Sequence, residues 1–410
     1  MDKINNCEIP NGYKKSTNGI IPSDWQETNL GSKITVLTDY HANGSYEVLK
    51  ENVTLLDEEN YALMIRTTNF EKKDFTYNVK FIDEHAYNFL KKSKVFPKDI
   101  IINKIANAGA VYTMPDLKRK VSLAMNLFLL RTKNCDADYM YFYLKQNECR
   151  LRILATGTTT KTITKNDVRS VSVALPVLRE QEKIVTVLST WDKAIELKEE
   201  LVKQKKTQKK GLMRKLLNGE VIFPGFDGEW KEHLVGDLCE LGRGRVISKR
   251  DIEVNSGCYP VYSSQISDNG CIGYLNTYDY EGEYITWTTD GANAGTVFYR
   301  NGKFNCTNVC GTLRVKNTKI DPRYLVYVLQ YNTEKYVVQL GNPKLMNNIM
   351  AIIPVLIFDN HQYQSKICDM INTHENTVTL LEKELFNLKL QKKGLMQLLL
   401  TGIVRVSDTL

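Results

Sequence analysis

The chain has 410 residues, 42% of them hydrophobic and 10% aromatic, and 55 Lys and Arg against 47 Asp and Glu give a net charge of +8. That length is too great for one ordinary core and implies at least two, while the mildly basic balance favours polyanions without establishing nucleic-acid binding. No apolar run approaches the roughly 20 residues that span a bilayer, and the polar start MDKINNCEIPNGYKK lacks the apolar stretch of a secretory signal, so a cytoplasmic protein without membrane contact is expected.

Residues 1–175 read as a first globular domain, rich in Tyr, Thr, Val, Ile and Asn with frequent Gly turns, which favours strands within a mixed α/β fold. Lys104 and Asn107, at the ANAG turn of residues 106–109, and Thr158, Thr159 and Lys161 in TGTTTK are candidate DNA contacts. Their ammonium, amide and hydroxyl groups suit phosphate oxygens, with plain turns as the alternative.

Residues 176–222 read as a long helix. From Ile184 the positions Leu188, Trp191, Ile195, Lys198, Val202, Lys205, Lys209, Leu212 and Leu216 recur at alternating spacings of three and four, a heptad seam. Gly219 stands just past the last periodic residue, where helices stop, so the helix should run about 34 residues, or roughly 50 Å. Lys203, Lys205, Lys206, Lys209 and Lys210 form a basic run, read either as a solvated face or as a DNA contact.

Residues 223–353 read as a second globular domain. Arg243, Arg245, Lys249 and Arg250 form a basic stretch in a Gly-containing loop, where guanidinium forks could meet phosphates or guanine edges; a solvated loop is the alternative. Asn293, in a second ANAG turn at residues 292–295, and Lys344, in GNPK, occupy places matching the candidates of the first domain. Asp321 before Pro322 reads as a helix N-cap rather than as a methyltransferase Asp-Pro-Pro-Tyr loop, because Arg323 replaces the second proline.

Residues 354–410 read as a second long helix with a seam at Ile367, Ile371, His374, Val378, Leu381, Leu385, Leu388, Lys392, Leu395 and Leu399, stopped by Gly402. The segment QKKGLMRKLLNGEV at residues 208–221 returns 183 residues later as QKKGLMQLLLTGIV, and the same offset pairs Gln181, Lys183 and Ile184 with Gln364, Lys366 and Ile367. Pro176 and Pro354 each follow an apolar run, VSVALP and AIIP, but at an offset of 178. The chain thus reads as domain, helix, domain, helix with approximate internal twofold symmetry.

Catalytic signatures are missing from this reading. The glycine clusters do not form the strand, GxGxxG and helix layout of a methyl-donor or dinucleotide site, no GxxxxGK[ST] loop occurs, and the five histidines form no triad. The nine cysteines are scattered, as reduced thiols packing like small apolar groups would be, and Cys306 with Cys310 lacks the second pair that a zinc site needs, so no metal is expected.

The layout closed by QKKGLMRKLLNG and QKKGLMQLLLTG resembles the specificity subunits of type I restriction-modification systems across essentially the whole chain. Residues 244–313, with RVISKRDI, YPVYSSQ, YITWTTDGANAGTVF and NCTNVCGTL, closely resemble one recurring type of target recognition domain in that family. The first domain matches less distinctively, through IIPSDW, its ANAG turn and LPVLREQEKI, and the second copy departs from the Pro-x-x-x-Glu-Gln signature of residues 176–181.

The resemblance implies two target recognition domains separated by two long helices in an antiparallel coiled coil, each domain reading one half of an asymmetric double-stranded DNA site. It further implies a non-catalytic subunit whose helices, through Ile184, Leu188, Trp191, Ile195, Ile367, Ile371, Val378 and Leu385, serve as spacer and platform for two modification subunits. S-adenosylmethionine for adenine-N6 methylation would sit in those subunits, and ATP and magnesium in restriction subunits. The competing readings are a methyltransferase, for which motifs are wanting, and a coiled-coil interaction protein with two protein-binding heads.

Overall fold

A computed structural model of the chain describes residues 9–406, so the first part of the polar start, including Cys7, lies outside the described residues. Two compact units divide the chain: residues 1–197 with 386–410, and residues 198–385. Four helices of ten residues or more are present among the described residues: α1 (Ala137–Gln146), α2 (Leu178–Leu217), α3 (Pro322–Asn332) and α4 (His361–Leu400).

The two long helices are 40 residues each, six longer than the seam alone predicts. In α2 the extra turns lie before Ile184. The segment LREQEK starts two residues after Pro176, whose ring disfavours helix at the residue before it but not after it. At the other end both helices stop as expected: Gly219 and Gly402 adopt φ of 70° and 72°, and the amides of Val221 and Val404 reach back to Lys215 O and Leu398 O at 3.3 and 3.2 Å. These glycines also allow close approach. A Cβ on Gly402 would stand 3.1 Å from the Trp25 ring, and one on Gly219 would stand 2.8 Å from Trp230 Nε1.

In the first unit, one four-stranded sheet runs in the order Lys80–Ile82, Ala62–Ile65, Val121–Leu123, Lys94–Val95, and a second in the order Ile34–Asp39, Leu127–Thr132, Ile100–Asn103, Val111–Thr113. Ile100, Ile101 and Ile102 are all buried, as a strand covered on both faces requires. Tyr139, Tyr143 and Leu144 of α1 pack with Trp25, Ile184, Leu188 and Leu399 into one core, so both long helices complete this unit.

The second unit is built on one six-stranded sheet, in the order Cys239–Arg243, Cys310–Val315, Tyr280–Thr288, Val297–Cys306, Ser256–Tyr262, Cys271–Leu275. Ile285, Trp287, Val297 and Leu313 line one face against α3, and Leu216, Leu217, Ile367 and Ile371 of the long helices close that core. Trp287 is fully buried, and its Nε1 donates to Leu345 O at 2.8 Å, which gives its one polar atom a partner inside the core.

The internal repeat is tighter than the prolines suggested. Ser172–Leu175 pairs with Gln26–Asn29, and Pro354–Phe358 pairs with Trp230–Leu234, so the two strands end at Leu175 and Phe358, 183 residues apart. Pro354 therefore opens its strand instead of closing one, a position where the missing N–H costs no ladder bond, and the run before it is the end of a short helix, Asn347–Ala351. The departure from the Glu-Gln signature is also bridged. Gln181 donates to Pro176 O and accepts from Asp136 N, at 2.8 and 2.9 Å, while Gln364 donates to Phe358 O and accepts from Asp321 N, both at 2.8 Å. Asp136 and Asp321 in turn cap α1 and α3, as expected for Asp321.

Within each unit the long helices lie antiparallel and are joined across the seam by ion pairs: Lys392 with Asp192 in the first, and Lys198 with Glu384 at 2.8 Å and Lys209 with Glu375 at 2.5 Å in the second. Lys206 pairs with Glu382 at 2.6 Å, so two members of the lysine run are engaged within the chain, while Lys203 and Lys210 are exposed. No helix among the described residues is long and apolar enough to cross a membrane. The eight described cysteines are free thiols.

Candidate nucleic-acid interface

In the first unit the ANAG turn joins Ile100–Asn103 to Val111–Thr113, with Asn103 N donating to Ala110 O and Gly109 N to Asn103 O, both at 2.8 Å. The TGTTTK segment is a separate loop closed by reciprocal amide bonds between Thr156 and Thr162, at 2.9 and 2.8 Å. The fold brings the two together, because Ala106 N donates to Lys161 O at 3.0 Å and Ile163 N to Lys104 O at 3.1 Å. Thr158, Thr159 and Lys161 are exposed on this loop. Asn107 is held internally: its amide nitrogen donates to Glu71 at 3.2 Å and its oxygen accepts from Arg152 at 2.5 Å.

The second unit repeats this arrangement with different residues. Gly295 N donates to Thr288 O at 2.8 Å, Val338 and Lys344 exchange amide bonds at 2.9 and 3.0 Å, and Gly291 N donates to Pro343 O at 2.9 Å. Gly109 and Gly295 both lie in the left-handed region, with φ of 84° and 85°, whereas the other left-handed residue falls at Ala106 in the first turn and one place earlier, at Gly291, in the second. Neither pairing of turn and loop can be read from local pattern, since the partners are about 50 residues apart.

The basic stretch of the second unit is more ordered than a solvated loop. Arg243 is the last residue of the strand Cys239–Arg243, paired with Gly311, and Lys249 is the first residue of a short helix, Lys249–Val254, capped by Ser248. Arg243 donates to Asn308 O at 2.7 Å and lies 3.5 Å from Asp290, which Lys344 approaches at 3.8 Å; Arg245 pairs with Asp279 at 2.8 Å. The side chains of Arg243, Arg245 and Lys344 stay 40%, 49% and 53% exposed, so each is positioned by an acid yet open to an incoming anion. Asn293 donates to Ser264 O at 2.9 Å, and Lys249 is exposed.

Lys104 is less available. Its ammonium lies 3.2 Å from Asp39, which Lys165 also meets at 2.8 Å, and the Asp39 carboxylate is almost wholly buried. Burial alone would push that carboxyl up, but hydrogen bonds from Lys165 and Lys104 outweigh it and hold it below the usual aspartate range. Neither Asp39 nor Lys165 was distinguishable in sequence, because they lie 126 residues apart.

A group whose folded value is depressed contributes stability that is present above its unfolded value, near 3.9, and is lost as pH falls through the folded value. Asp39→Asn should therefore cost about 1–3 kcal/mol at pH 7, by removing the charge between two lysines and replacing one of their two acceptor oxygens with an amide donor. The difference from wild type should begin to shrink below about pH 4, where the unfolded carboxyl takes up its proton, and vanish only below the depressed folded value. Thermal melts at pH 7 and pH 3 check this; an equal difference at both would show that the pair adds nothing.

The helix positions expected to dock other subunits point inward. Ile184 and Leu188 are fully buried in the first core, Ile367 and Ile371 in the second, and Val378 is 9% exposed, while Trp191, Ile195 and Leu385 are half-buried. Fully burying such a side chain is worth about 1.5–3 kcal/mol, and here that is spent on the chain's own fold. The large apolar side chains the long helices leave more than half exposed are others: Leu178, Leu197, Leu380, Phe386 and Leu390.

A duplicated domain with a sheet-built head and a shared turn-and-loop pair, joined through long helices, is thus the class of molecule the fold defines. The family model for the type I restriction modification DNA specificity domain matches residues 22–205 and 227–390, one match per copy, and the chain belongs to that family. Among relatives from Mycoplasma pneumoniae, the specificity subunit of the type I restriction enzyme MpnII is 41% identical over 185 residues, 45% of this chain and 53% of that protein. S.MpnORF289P N-terminus and S.MpnORF365P, both named as type I specificity subunits, are 49% and 40% identical over 35% and 52% of this chain and 76% and 78% of their own lengths. The S subunit of a type I restriction-modification system from M. genitalium has the same fold, with a TM-score of 0.57 at 18% identity over 94% of this chain and 97% of that one. A chain solved in a study of complex assembly and conformational transition of the type I system also has a TM-score of 0.57, at 13% identity over 94% and 99%.

Proposed function

We propose that each head reads one half of an asymmetric, bipartite duplex DNA site through its turn-and-loop pair, while the long helices set the gap and carry two modification subunits. The observation that supports this best is the repetition of one backbone device, an ANAG turn bonded to a polar loop, with cations of different identity in the two heads. A recurring turn-to-loop pairing with unlike side chains suits the same task on unlike sequences. Phosphate contacts would position each head, and base-edge contacts from residues such as Arg243 and Arg245 would specify.

The chain acts without catalysis in this reading. S-adenosylmethionine for adenine-N6 methylation belongs to the modification subunits, and ATP and magnesium for translocation and cleavage to restriction subunits. Docking of the modification subunits is assigned to exposed apolar side chains of the helices, such as Leu197, Phe386 and Leu390 in the first unit, because Ile184, Leu188, Ile367 and Ile371 are fully buried.

The purified chain should neither methylate nor cut DNA, and its complex with modification subunits should bind duplex with an affinity that falls steeply as salt rises. Methyl transfer by the chain alone would overturn the non-catalytic reading. Salt-independent binding would instead favour heads that recognise protein.

A further inference from the structure

Arg300 lies on the strand Val297–Cys306 of the second unit and is 3% exposed, yet no carboxylate among the described residues pairs with it. Its Nε donates to Thr286 Oγ1 at 3.1 Å and one terminal nitrogen donates to Asn269 O at 2.9 Å, while the other, Nη1, is buried without a hydrogen-bond partner. The rings of Tyr262 and Phe298 lie 3.5 and 4.6 Å from the guanidinium carbon. Two aromatic faces, a hydroxyl and a carbonyl soften the burial of a cation but do not replace a counter-ion. A neutral side chain of similar volume would fill the space at lower cost.

What covers the guanidinium is the segment of residues 263–270. It is closed by Ser263 N donating to Gly270 O at 2.9 Å, and it carries three successive left-handed residues, Asp268, Asn269 and Gly270, with φ of 50°, 52° and 84°. Such conformations are tolerated by Asp, Asn and Gly but are not their most stable ones. The segment is tied to both candidate DNA-contacting regions of this head. Asn293 of the ANAG turn donates to Ser264 O, and Thr307, bridged to Arg245, donates to Ser263 Oγ at 3.0 Å.

We propose that Arg300 is a DNA backbone contact held in reserve, and that opening of residues 263–270 on duplex exchanges the Asn269 carbonyl for a phosphate oxygen. This rests on the reading that the second head binds DNA. The planar guanidinium fork suits a phosphodiester, and the anion supplies the counter-charge and the partner for Nη1 that the closed form lacks. The closed segment keeps the cation from pairing with other acids until DNA arrives, and its position between Asn293 and Arg245 puts the exchange where the duplex would lie.

The test uses the full chain assembled with its modification subunits and a duplex carrying its methylation motif. Arg300→Met should leave the melting temperature equal or higher and reduce the magnitude of the salt slope of log affinity by about one, the signature of one lost phosphate contact. Arg300→Lys should restore most of that slope. Gly270→Ala, strained at its φ and set against the guanidinium at 3.2 Å, should destabilise the closed form and tighten binding about threefold or more. An unchanged salt slope in a folded Arg300→Met, or weaker binding by Gly270→Ala, overturns the proposal. Should Arg300→Met fail to fold, the direction of the Gly270→Ala effect decides. Absence of specific binding by the wild-type complex would instead count against DNA reading by the heads.

Discussion

Exchanging residues 230–350 for the equivalent segment of another recognition domain should change one half of the methylated motif completely and leave the other half untouched. The reason lies in how the cores are divided. The first-unit core around Trp25, Tyr139 and Ile184 contains no residue from that segment, and its two satellite clusters are built from residues 40–129 alone. The second core, by contrast, draws Trp287, Leu313 and Tyr324 from within the segment and packs them on Ile367 and Ile371 from outside it. A donor domain must therefore supply an apolar face for those two isoleucines, and a strand able to pair with Pro354–Phe358 as Trp230–Leu234 does. Where it does, the turn-and-loop pair of the second head is replaced whole, and with it every side chain proposed to read that half. Sequencing of the methylated motif of the exchanged protein checks this. A change in both halves would show that the heads do not read independently.

Inserting four residues into α2 between Glu196 and Lys205 should widen the gap between the half-sites by one or two base pairs. Four residues add about 6 Å of helix and about 400° of turn, a net rotation near 40°. Duplex rises about 3.4 Å per base pair, so the length corresponds to one or two positions. The register change falls between the ion pairs Asp192 with Lys392 and Lys206 with Glu382, and must displace Lys198 from Glu384. Each of these pairs keeps its carboxylate about half exposed, and each is worth only about 0–1 kcal/mol. The larger cost comes from Val202 and Val378, the buried apolar residues of this stretch, which must find new partners along the shifted seam. The lysine positions that interrupt the seam thus make the insertion tolerable where a continuous leucine seam would resist it. The methylated motif of the variant is again the measurement: the same halves with a longer gap support a ruler, and an unchanged gap with full activity rejects it.

Much of this architecture was legible because it is written in local, periodic signals. The heptad seam marks the inward face of both long helices, with Ile184, Leu188, Val202 and Leu216 buried as their spacing required. Asp321 and the two glycine stops behaved as their chemistry dictates, and the gapless offset of 183 held from Gln181 to Gly402. The proline match misled because proline marks a strand end without saying which end. What was not legible is what depends on pairing across the fold. Arg243 and Lys344 meet at Asp290, Lys104 and Lys165 at Asp39, and Arg300 lies under residues 263–270. None of these has a periodicity or a spacing that a linear pattern exposes. The residues expected to dock partners lie inside or half inside for a related reason: a seam identifies the face a helix buries, which its own partner occupies.

The measurement that bears most directly on the account is the methylome of cells carrying the complete system with this chain and of otherwise identical cells without it, read by single-molecule sequencing. One adenine-methylated motif of two unlike halves separated by a fixed gap is expected, present only when the chain is present. A motif that persists without the chain, or a single uninterrupted motif, would contradict it.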